Sequence, residues 1–512
     1  MNFNSQLKPQ DVTRNHEGAI AYTMTPEMEL YTAVVTSMLN DSYYESSDER
    51  VKRIQELVGK VSPLFVAQLA VYARREMNLR SVPLLLLTLL AKVNSTDTAD
   101  WQPSMLARAI EMTVLRADEI SELLACYQLL NPRQGRKQLS GLSHQVQKGL
   151  QTSFNRFDEY QFAKYDRSSQ TVRLRDALFL VHPKAKDEAQ QQLFNKIASQ
   201  SLKTPYTWET ELSELGKQPF DTPEQKQAAV RAKWEELIDS GKLGYMALLR
   251  NLRNIVQAEV SKERIDSICA RLSNKDEVAH SKQLPFRFFS AYKEMLQVMS
   301  PYTSLILTAL EEAAKASAPN TDLFGKNDRI LLACDLSGSM QHSLSPKSKV
   351  QLYEVGILLA MLMQNTCQQV QTGLFGDIWK PVNLPQTNIL QNTNDIRKRI
   401  GEVGYCTNGY KVIDWLIENK QVVDKVMFFT DCQLWDDTYT IKTVAKSWQQ
   451  YKQIAPDARL YMFDLAGYGE SPLRLIGKDV CLVAGWSERI FQMVETMEKG
   501  EDIMTKIKQV KI

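Results

Sequence analysis

Arg329-Ile330-Leu331-Leu332-Ala333-Cys334-Asp335-Leu336-Ser337-Gly338-Ser339 decides how the second half of this chain folds. A short apolar run that stops at an aspartate predicts a buried strand. The turn after it offers two hydroxyls. Asp335, Ser337 and Ser339 together form a set of hard oxygen donors suited to Mg²⁺, with Mn²⁺ and Ca²⁺ as alternatives. The competing use of these residues is structural: Asp335 caps the turn and the serines bond the backbone.

Around that stretch the grammar is that of an α/β fold. Strands are expected at Ile330–Asp335, Val370–Phe375, Lys425–Asp431, Arg459–Leu465 and Asp479–Ala484, with helices around Lys349–Gln364, Asp395–Val403, Lys411–Asn419, Ile441–Tyr451 and Glu488–Glu498. Alternation of this kind implies a parallel, doubly wound sheet, whose ligands sit at the carboxyl ends of the strands. Asp335 and Asp431 both fall there. Thr407, in Gly404-Tyr405-Cys406-Thr407-Asn408, adds a third hydroxyl between two helices.

Before the Ala-Pro-Asn-rich stretch at 316–320 the pattern differs. From Thr25 to Ala316 the sequence reads as helix after helix, started by Thr25-Pro26, Ser62-Pro63, Thr204-Pro205 and Thr222-Pro223. Each pair sets a capping hydroxyl before a proline suited to the first turn. Stacked HEAT-like helical repeats are expected over 1–320, followed by the α/β domain over 321–512.

At 512 residues the chain is too long for one core. Its net charge of +2 means that any nucleic-acid role must come from a local patch. Met1 to Glu17 is polar, so no signal peptide is expected, and the longest apolar run, Val82–Ala91, is too short to span a membrane. The seven cysteines are scattered, without CxxC or zinc-finger spacing, so neither a disulfide framework nor a zinc site is expected. A cytoplasmic, monomeric protein without membrane attachment is the expectation.

The local patch lies between Arg133 and Lys186. Eleven basic side chains, among them Lys137, Lys164, Arg167, Arg173, Arg175 and Lys184, face four acidic ones, a balance of +7. Phe154, Phe157, Tyr160, Phe162, Tyr165 and His182 are interleaved with them. Cations that neutralise phosphates beside rings that stack on bases describe a surface for single-stranded nucleic acid. The plainer reading is a solvated helical face over core aromatics, with His182 before Pro183 merely ending a helix.

Two resemblances bear on these readings. The DxSxS turn, Thr407 and the Thr430-Asp431 strand end resemble the metal-ion-dependent adhesion site of von Willebrand factor A domains, which implies that Asp335, Ser337, Ser339, Thr407 and Asp431 share one metal. Asn408 stands where relatives often carry an aspartate. In the first half, Lys164-Tyr165, Arg175-Asp176-Ala177-Leu178 and His182-Pro183-Lys184 resemble the central motif of the TROVE domain of Ro autoantigen proteins. Leu69-Ala70-Val71-Tyr72-Ala73-Arg74, Tyr245-Met246-Ala247-Leu248-Leu249-Arg250-Asn251-Leu252-Arg253-Asn254 and Leu284-Pro285-Phe286-Arg287-Phe288 also occur, in the order that family shows.

The resemblance to a bacterial or phage Ro homologue spans nearly the whole chain. It implies a ring of helical repeats closed by the A domain. It also implies binding of small noncoding Y-like RNA and of single-stranded 3′ ends of structured or misfolded RNA, presented to an exoribonuclease. On that pattern Lys164 and His182 line the hole, with Arg173, Arg175 and Lys184 near it; Lys137 and Arg167 complete the basic set. Arg250, Asn251 and Asn254 are expected to support packing between helices.

Two other classes compete. In a protein-adhesion scaffold the metal would grip a partner's acidic side chain and the helices would be a platform. A metal-dependent phosphohydrolase would need a second acid two residues after Asp335, where Ser337 stands, and a general base near it. No enzymatic activity is expected.

Overall fold

The computed structural model describes residues 12–37, 44–93, 101–131, 141–167, 169–318, 324, 327–344, 348–437, 442–475, 479–487 and 489–512. The chain forms two compact units. One comprises Met1–Glu49 and Leu212–Ile503, the other Arg50–Glu211 and Met504–Ile512.

The second of these units is helical throughout its described residues. After the helix Ser47–Val58 come Pro63–Arg75 and Ser81–Leu90, and the last, the apolar run read from sequence, is buried almost completely. Met105–Thr113, Ala117–Leu130, His144–Phe154, Glu159–Tyr165, Leu174–Val181 and Glu188–Ala198 follow. Glu119, fully buried, ties several of them together. Its Oε1 accepts from Arg74 at 2.7 Å, and its Oε2 accepts from the backbone N–H groups of Leu115 and Arg116 at 2.7 and 3.0 Å. Removing one partner of such a buried pair costs about 3–5 kcal/mol. No helix among the described residues is long and apolar enough to cross a membrane.

The other unit carries helices Pro223–Asp239, Tyr245–Gln257, Lys262–Leu272, Lys275–Ser281, Pro285–Met295 and Thr303–Ser317 ahead of a sheet. Thr25 and Thr222 cap their helices as the sequence predicts, at 3.3 and 3.2 Å from the third backbone N–H. Thr204-Pro205 does not start one. The helix begins at Trp208, because Thr207 and Thr210 bond reciprocally and the Thr210 hydroxyl donates to the Pro205 carbonyl at 2.7 Å.

The strands, in chain order, are β1 Val12–Arg14, β2 Ile20–Thr23, β3 Arg329–Asp335, β4 Gln369–Phe375, β5 Trp379–Val382, β6 Lys425–Thr430, β7 Arg459–Asp464, β8 Glu470–Ser471 and β9 Val480–Ala484. The main sheet has the order β5-β4-β3-β6-β7-β9. Every pairing is parallel except β4 with β5, so the sheet is mixed where a wholly parallel one was expected. β5 escapes sequence reading because four residues containing Lys380 and Pro381 look like a loop; proline is tolerated there because the strand is an edge. Gly373 makes room for it: a Cβ would stand 2.2 Å from the Trp379 ring.

β3 and β6 are buried nearly end to end, as central parallel strands are. Phe429 of β6 stacks on Phe463 of β7 at 4.5 Å. The helix Leu352–Thr366 covers one face and is itself almost wholly buried. The helix expected around Asp395–Val403 lies at Leu390–Arg397 instead. It has no local capping side chain. Glu311, from Thr303–Ser317, supplies the cap by accepting from Ile389 and from the N–H groups of Leu390 and Gln391 at 3.0 and 3.2 Å.

β1 and β2 correct the all-helical expectation for the first 320 residues. They form a hairpin whose second strand pairs with β8, giving a separate three-stranded sheet of order β1-β2-β8. The Thr36 hydroxyl adds a bond to the Ala466 carbonyl at 3.1 Å.

Candidate metal and nucleic-acid sites

β3 is followed by β4 on one side and flanked by β6 on the other, so the strand order reverses between β3 and β6. Ligands of doubly wound sheets bind at such a switch point. Asp335 ends β3, and Asp431 directly follows β6. Asp335, Ser337, Ser339, Thr407 and Asp431 are all buried.

The turn is tightly organised. Asp335 Oδ1 accepts from the Ser337 N–H at 2.9 Å, and Oδ2 accepts from the Thr430 hydroxyl at 2.6 Å. The Ser337 and Ser339 hydroxyl oxygens lie 3.4 Å apart. Asp431 Oδ1 accepts from the Gln433 N–H at 3.0 Å. The Thr407 loop is brought in by Gly338, whose N–H donates to the Tyr405 carbonyl at 2.9 Å.

Two polar atoms stand out in this cluster. Thr407 Oγ1 and Asp431 Oδ2 are buried without a hydrogen-bond partner among the described residues. Buried polar atoms are rarely left so. Burial pushes the Asp335 carboxyl above the ordinary range, against its bonds to Ser337 and Thr430. Burial also raises Asp431, and the neighbouring Asp335 and Asp464 carboxylates raise it further. A hard divalent cation would satisfy both orphaned oxygens and offset the repulsion. The donor set therefore fits a Mg²⁺-like ion.

Sequence reasoning missed what shapes the third hydroxyl. Asp377, in the β4–β5 turn, accepts from the backbone N–H groups of Tyr405 and Cys406 at 3.0 and 2.7 Å, bonds that hold its carboxyl below the usual range. Its carbonyl accepts from the Asn408 amide at 3.2 Å and from Lys411 Nζ at 2.7 Å. Asn408 thus anchors this loop. Gly376 lets the strands close on it, since a Cβ there would meet the Val403 and Gly404 carbonyl oxygens at 2.7 Å.

The second cluster belongs to the helical unit. Lys164, Arg167, Arg173, Arg175, His182 and Lys184 are all exposed, while Lys137 lies outside the described residues. Among the described residues none of these six takes part in an ion pair within 4 Å, whereas Arg156 pairs with Glu111 and Lys196 with Glu159. Lys164 Nζ lies 5.7 Å from the Tyr160 ring and 5.6 Å from the Tyr165 ring. Arg173 faces Asp166, which brings residues 164–167 beside the start of the helix Leu174–Val181.

The expected rings divide into two groups. Phe154, Phe157 and Phe162 are buried and pack on one another and on Phe194, so they cannot stack on bases. Tyr160 stays 44% exposed. Phe179, which sequence reading passed over, is 51% exposed under Arg175 at 5.7 Å. Its spacing of four residues from Arg175 on one helix was the available signal.

His182 does end a helix, with φ of 49° in the left-handed region, unusual for a residue before proline. That conformation is held from outside. Gln147 and Gln151 donate to the Val181 carbonyl at 3.2 and 3.0 Å, and Gln151 also donates to the His182 carbonyl at 3.2 Å. Asn155 donates to the Lys184 carbonyl at 2.8 Å and accepts from the Lys186 N–H at 3.2 Å. Three amides at four-residue spacing thereby grip 181–186 by its backbone and leave the His182 and Lys184 side chains outward.

Comparison with known proteins agrees with both halves. Residues 33–229 and 198–300 match the TROVE domain, and residues 329–496 match the Ro60 vWA domain. The chain belongs to the Ro family. The RNA-binding protein RO60 of Caenorhabditis elegans is 24% identical over 278 residues, 52% of this chain and 42% of that protein. Telomerase protein component 1 of Mus musculus is 43% identical over 91 residues, 18% of this chain and 3% of that protein. This Ro-family chain therefore spans less than half the length of these curated relatives. The crystal structure of the RO (RSR) protein of Deinococcus radiodurans shares the fold, with a TM-score of 0.58 at 19% identity over 93% of this chain and 100% of that one.

Proposed function

We propose that this Ro-family chain binds single-stranded RNA through the exposed surface formed by Tyr160, Lys164, Arg167, Arg173, Arg175, Phe179, His182 and Lys184. The observation that carries this reading is the set of exposed cations, none in an ion pair within 4 Å among the described residues, beside exposed rings, on a segment whose backbone the Gln147–Gln151–Asn155 amides fix in advance. Cations with no ion pair within 4 Å among the described residues can neutralise phosphates, and fixed geometry lowers the ordering cost of binding. The relative named RNA-binding protein RO60 supports the same class of ligand. Its finer form is binding of small Y-like RNA and of single-stranded 3′ ends, handed to a separate exoribonuclease in the cytoplasm, with no catalysis by this chain.

Asp335, Ser337, Ser339, Thr407 and Asp431 would hold a divalent cation whose remaining coordination position takes an acidic oxygen from a partner. The cation supplies Lewis-acid binding of that oxygen. Cys432, which follows Asp431, is held well above its ordinary pKa by burial and the surrounding acids, which makes it a poor nucleophile.

The test is a filter-binding titration of a single-stranded 3′ overhang across a salt series. Lys164→Ala with His182→Ala is expected to weaken binding and flatten its salt dependence. Unchanged affinity and slope would remove the RNA reading.

A further inference from the structure

We propose that Arg250 and Arg287 form a clamp for a phosphodiester group, a second contact for an RNA strand that lies outside the cluster of residues 160–184 and rests on the RNA-binding reading above. The clamp occupies a cleft of about 510 Å³ between the packed helices Tyr245–Gln257 and Pro285–Met295. That volume falls within the range of small-ligand pockets, roughly 300–1,000 Å³.

The charge arrangement carries the argument. Arg250, Arg253, Arg287 and Glu294 line the cleft. Glu294 is already committed: Oε2 pairs with Arg253 at 3.1 Å and Oε1 with Lys349 at 2.6 Å. Among the described residues Arg250 and Arg287 make no side-chain hydrogen bond or ion pair. Burial and the Arg250 charge both hold the Arg287 guanidinium below its ordinary pKa. Two like charges kept close, with the only lining acid engaged elsewhere, favour an anion between them.

Guanidinium groups bind phosphate oxygens in pairs, which suits this ligand better than a point charge would. The rest of the cleft selects a nucleotide unit over a bare ion. Met246, 37% exposed, gives an apolar wall at the side, and Ser290 adds a hydroxyl to the lining. The helix itself directs Arg250 outward: Leu248, Leu249, Asn251 and Leu252 are buried around it. Asn251 is buried and bonds within its own helix, donating to the Ala247 carbonyl at 2.9 Å and accepting from Asn254 at 3.0 Å. Arg250 does not.

The experiment is an anisotropy titration of the full chain with a short unstructured oligoribonucleotide over a salt series, using Arg250→Gln, Arg287→Gln and the double variant. Each single variant is expected to bind about tenfold more weakly, the loss of one charge-assisted contact. The double variant should lower the salt slope by about 0.7, the value of one phosphate on a single strand. Melting without RNA should be unchanged or slightly raised, because repulsion is removed and no partner is lost. Equal affinity and slope for the double variant, while Lys164→Ala with His182→Ala still weakens binding, overturns the clamp and leaves the RNA-binding face standing. If neither pair matters, both readings fall. Inorganic phosphate that raises the melting temperature of the unmodified chain but not of the double variant, with RNA affinity equal in both, assigns the cleft to a free anion and overturns the strand contact.

Discussion

Thr430 donates its hydroxyl to Asp335 Oδ2 at 2.6 Å and thereby joins the ends of two adjacent parallel strands beneath the candidate metal site. The same Thr430 oxygen accepts from the Cys432 N–H at 3.2 Å. A single hydroxyl thus sets the direction of the first carboxylate and the path of the chain just after the second.

Thr430→Val keeps the shape and removes that donor. The variant is expected to lose about 1–3 kcal/mol of stability, since a buried carboxylate oxygen is left unsatisfied. Mg²⁺ affinity should fall with it. Urea unfolding and calorimetry measure the two effects; a variant as stable as the parent would show that the bond contributes little.

Asp335 and Asp431 give the metal-free protein a specific pH response. Burial raises both carboxyls, and in Asp431 the neighbouring acids add to it. A folded-state pKa above the unfolded value means that the folded chain keeps protons the unfolded chain has released. Stability then falls as pH rises from the ordinary aspartate range towards neutrality. In EDTA, denaturation midpoints should drop over that window, and added Mg²⁺ or the variant Asp431→Asn should flatten the drop. A midpoint independent of pH in EDTA, for the unmodified chain, counts against the buried pair.

Asp377 touches none of the five oxygen donors, yet it holds the loop that carries Thr407. Asp377→Ala should lower metal affinity by about 10–100-fold, as loss of an outer-shell partner does, while the fold persists. Calorimetric titration alongside circular dichroism separates the outcomes. Full affinity in a folded variant would mean that Gly338 and Asn408 position the loop without it.

Gln151 and Asn155 are the counterpart in the helical unit. Gln151→Ala with Asn155→Ala should release 181–186, seen as faster amide exchange there, and weaken RNA binding without changing any charge. The salt slope should stay as it was, because no cation is removed. A reduced slope would argue that these amides contact RNA directly.

What could be read from sequence was whatever depends on neighbouring residues. The runs at 330–335 and 425–431 announce buried strands because a central parallel strand needs apolar residues on both faces. Asp335, Ser337 and Ser339 sit within five residues, so their shared turn was legible. Asp431 was legible as the end of a second buried strand and Thr407 as a hydroxyl between two helices, and the family pattern joined them to the turn; all five are buried in the structure. Asp377 was invisible, because its work is to accept from backbone N–H groups 28 and 29 residues away. Glu311, which caps a helix 78 residues on, was hidden for the same reason and misplaced that helix. The basic cluster was readable as charge, but which rings face water depends on packing, and three of the expected ones went into the core.

The β1–β2 hairpin pairs with residues some 450 positions later, and residues 508–510 pair backward in the same manner: Gln68 donates to the Lys508 and Val510 carbonyls at 2.6 and 3.0 Å. Each unit thus includes a strand or segment that is synthesised some 440–450 residues after its partner. A ribosome releasing this chain exposes β2 long before β8 exists, and helix Pro63–Arg75 long before its C-terminal partner. Closing such distant pairings is slow, and unpaired strand edges invite aggregation meanwhile. The order of translation, as much as the final contacts, is therefore a condition this architecture has to meet.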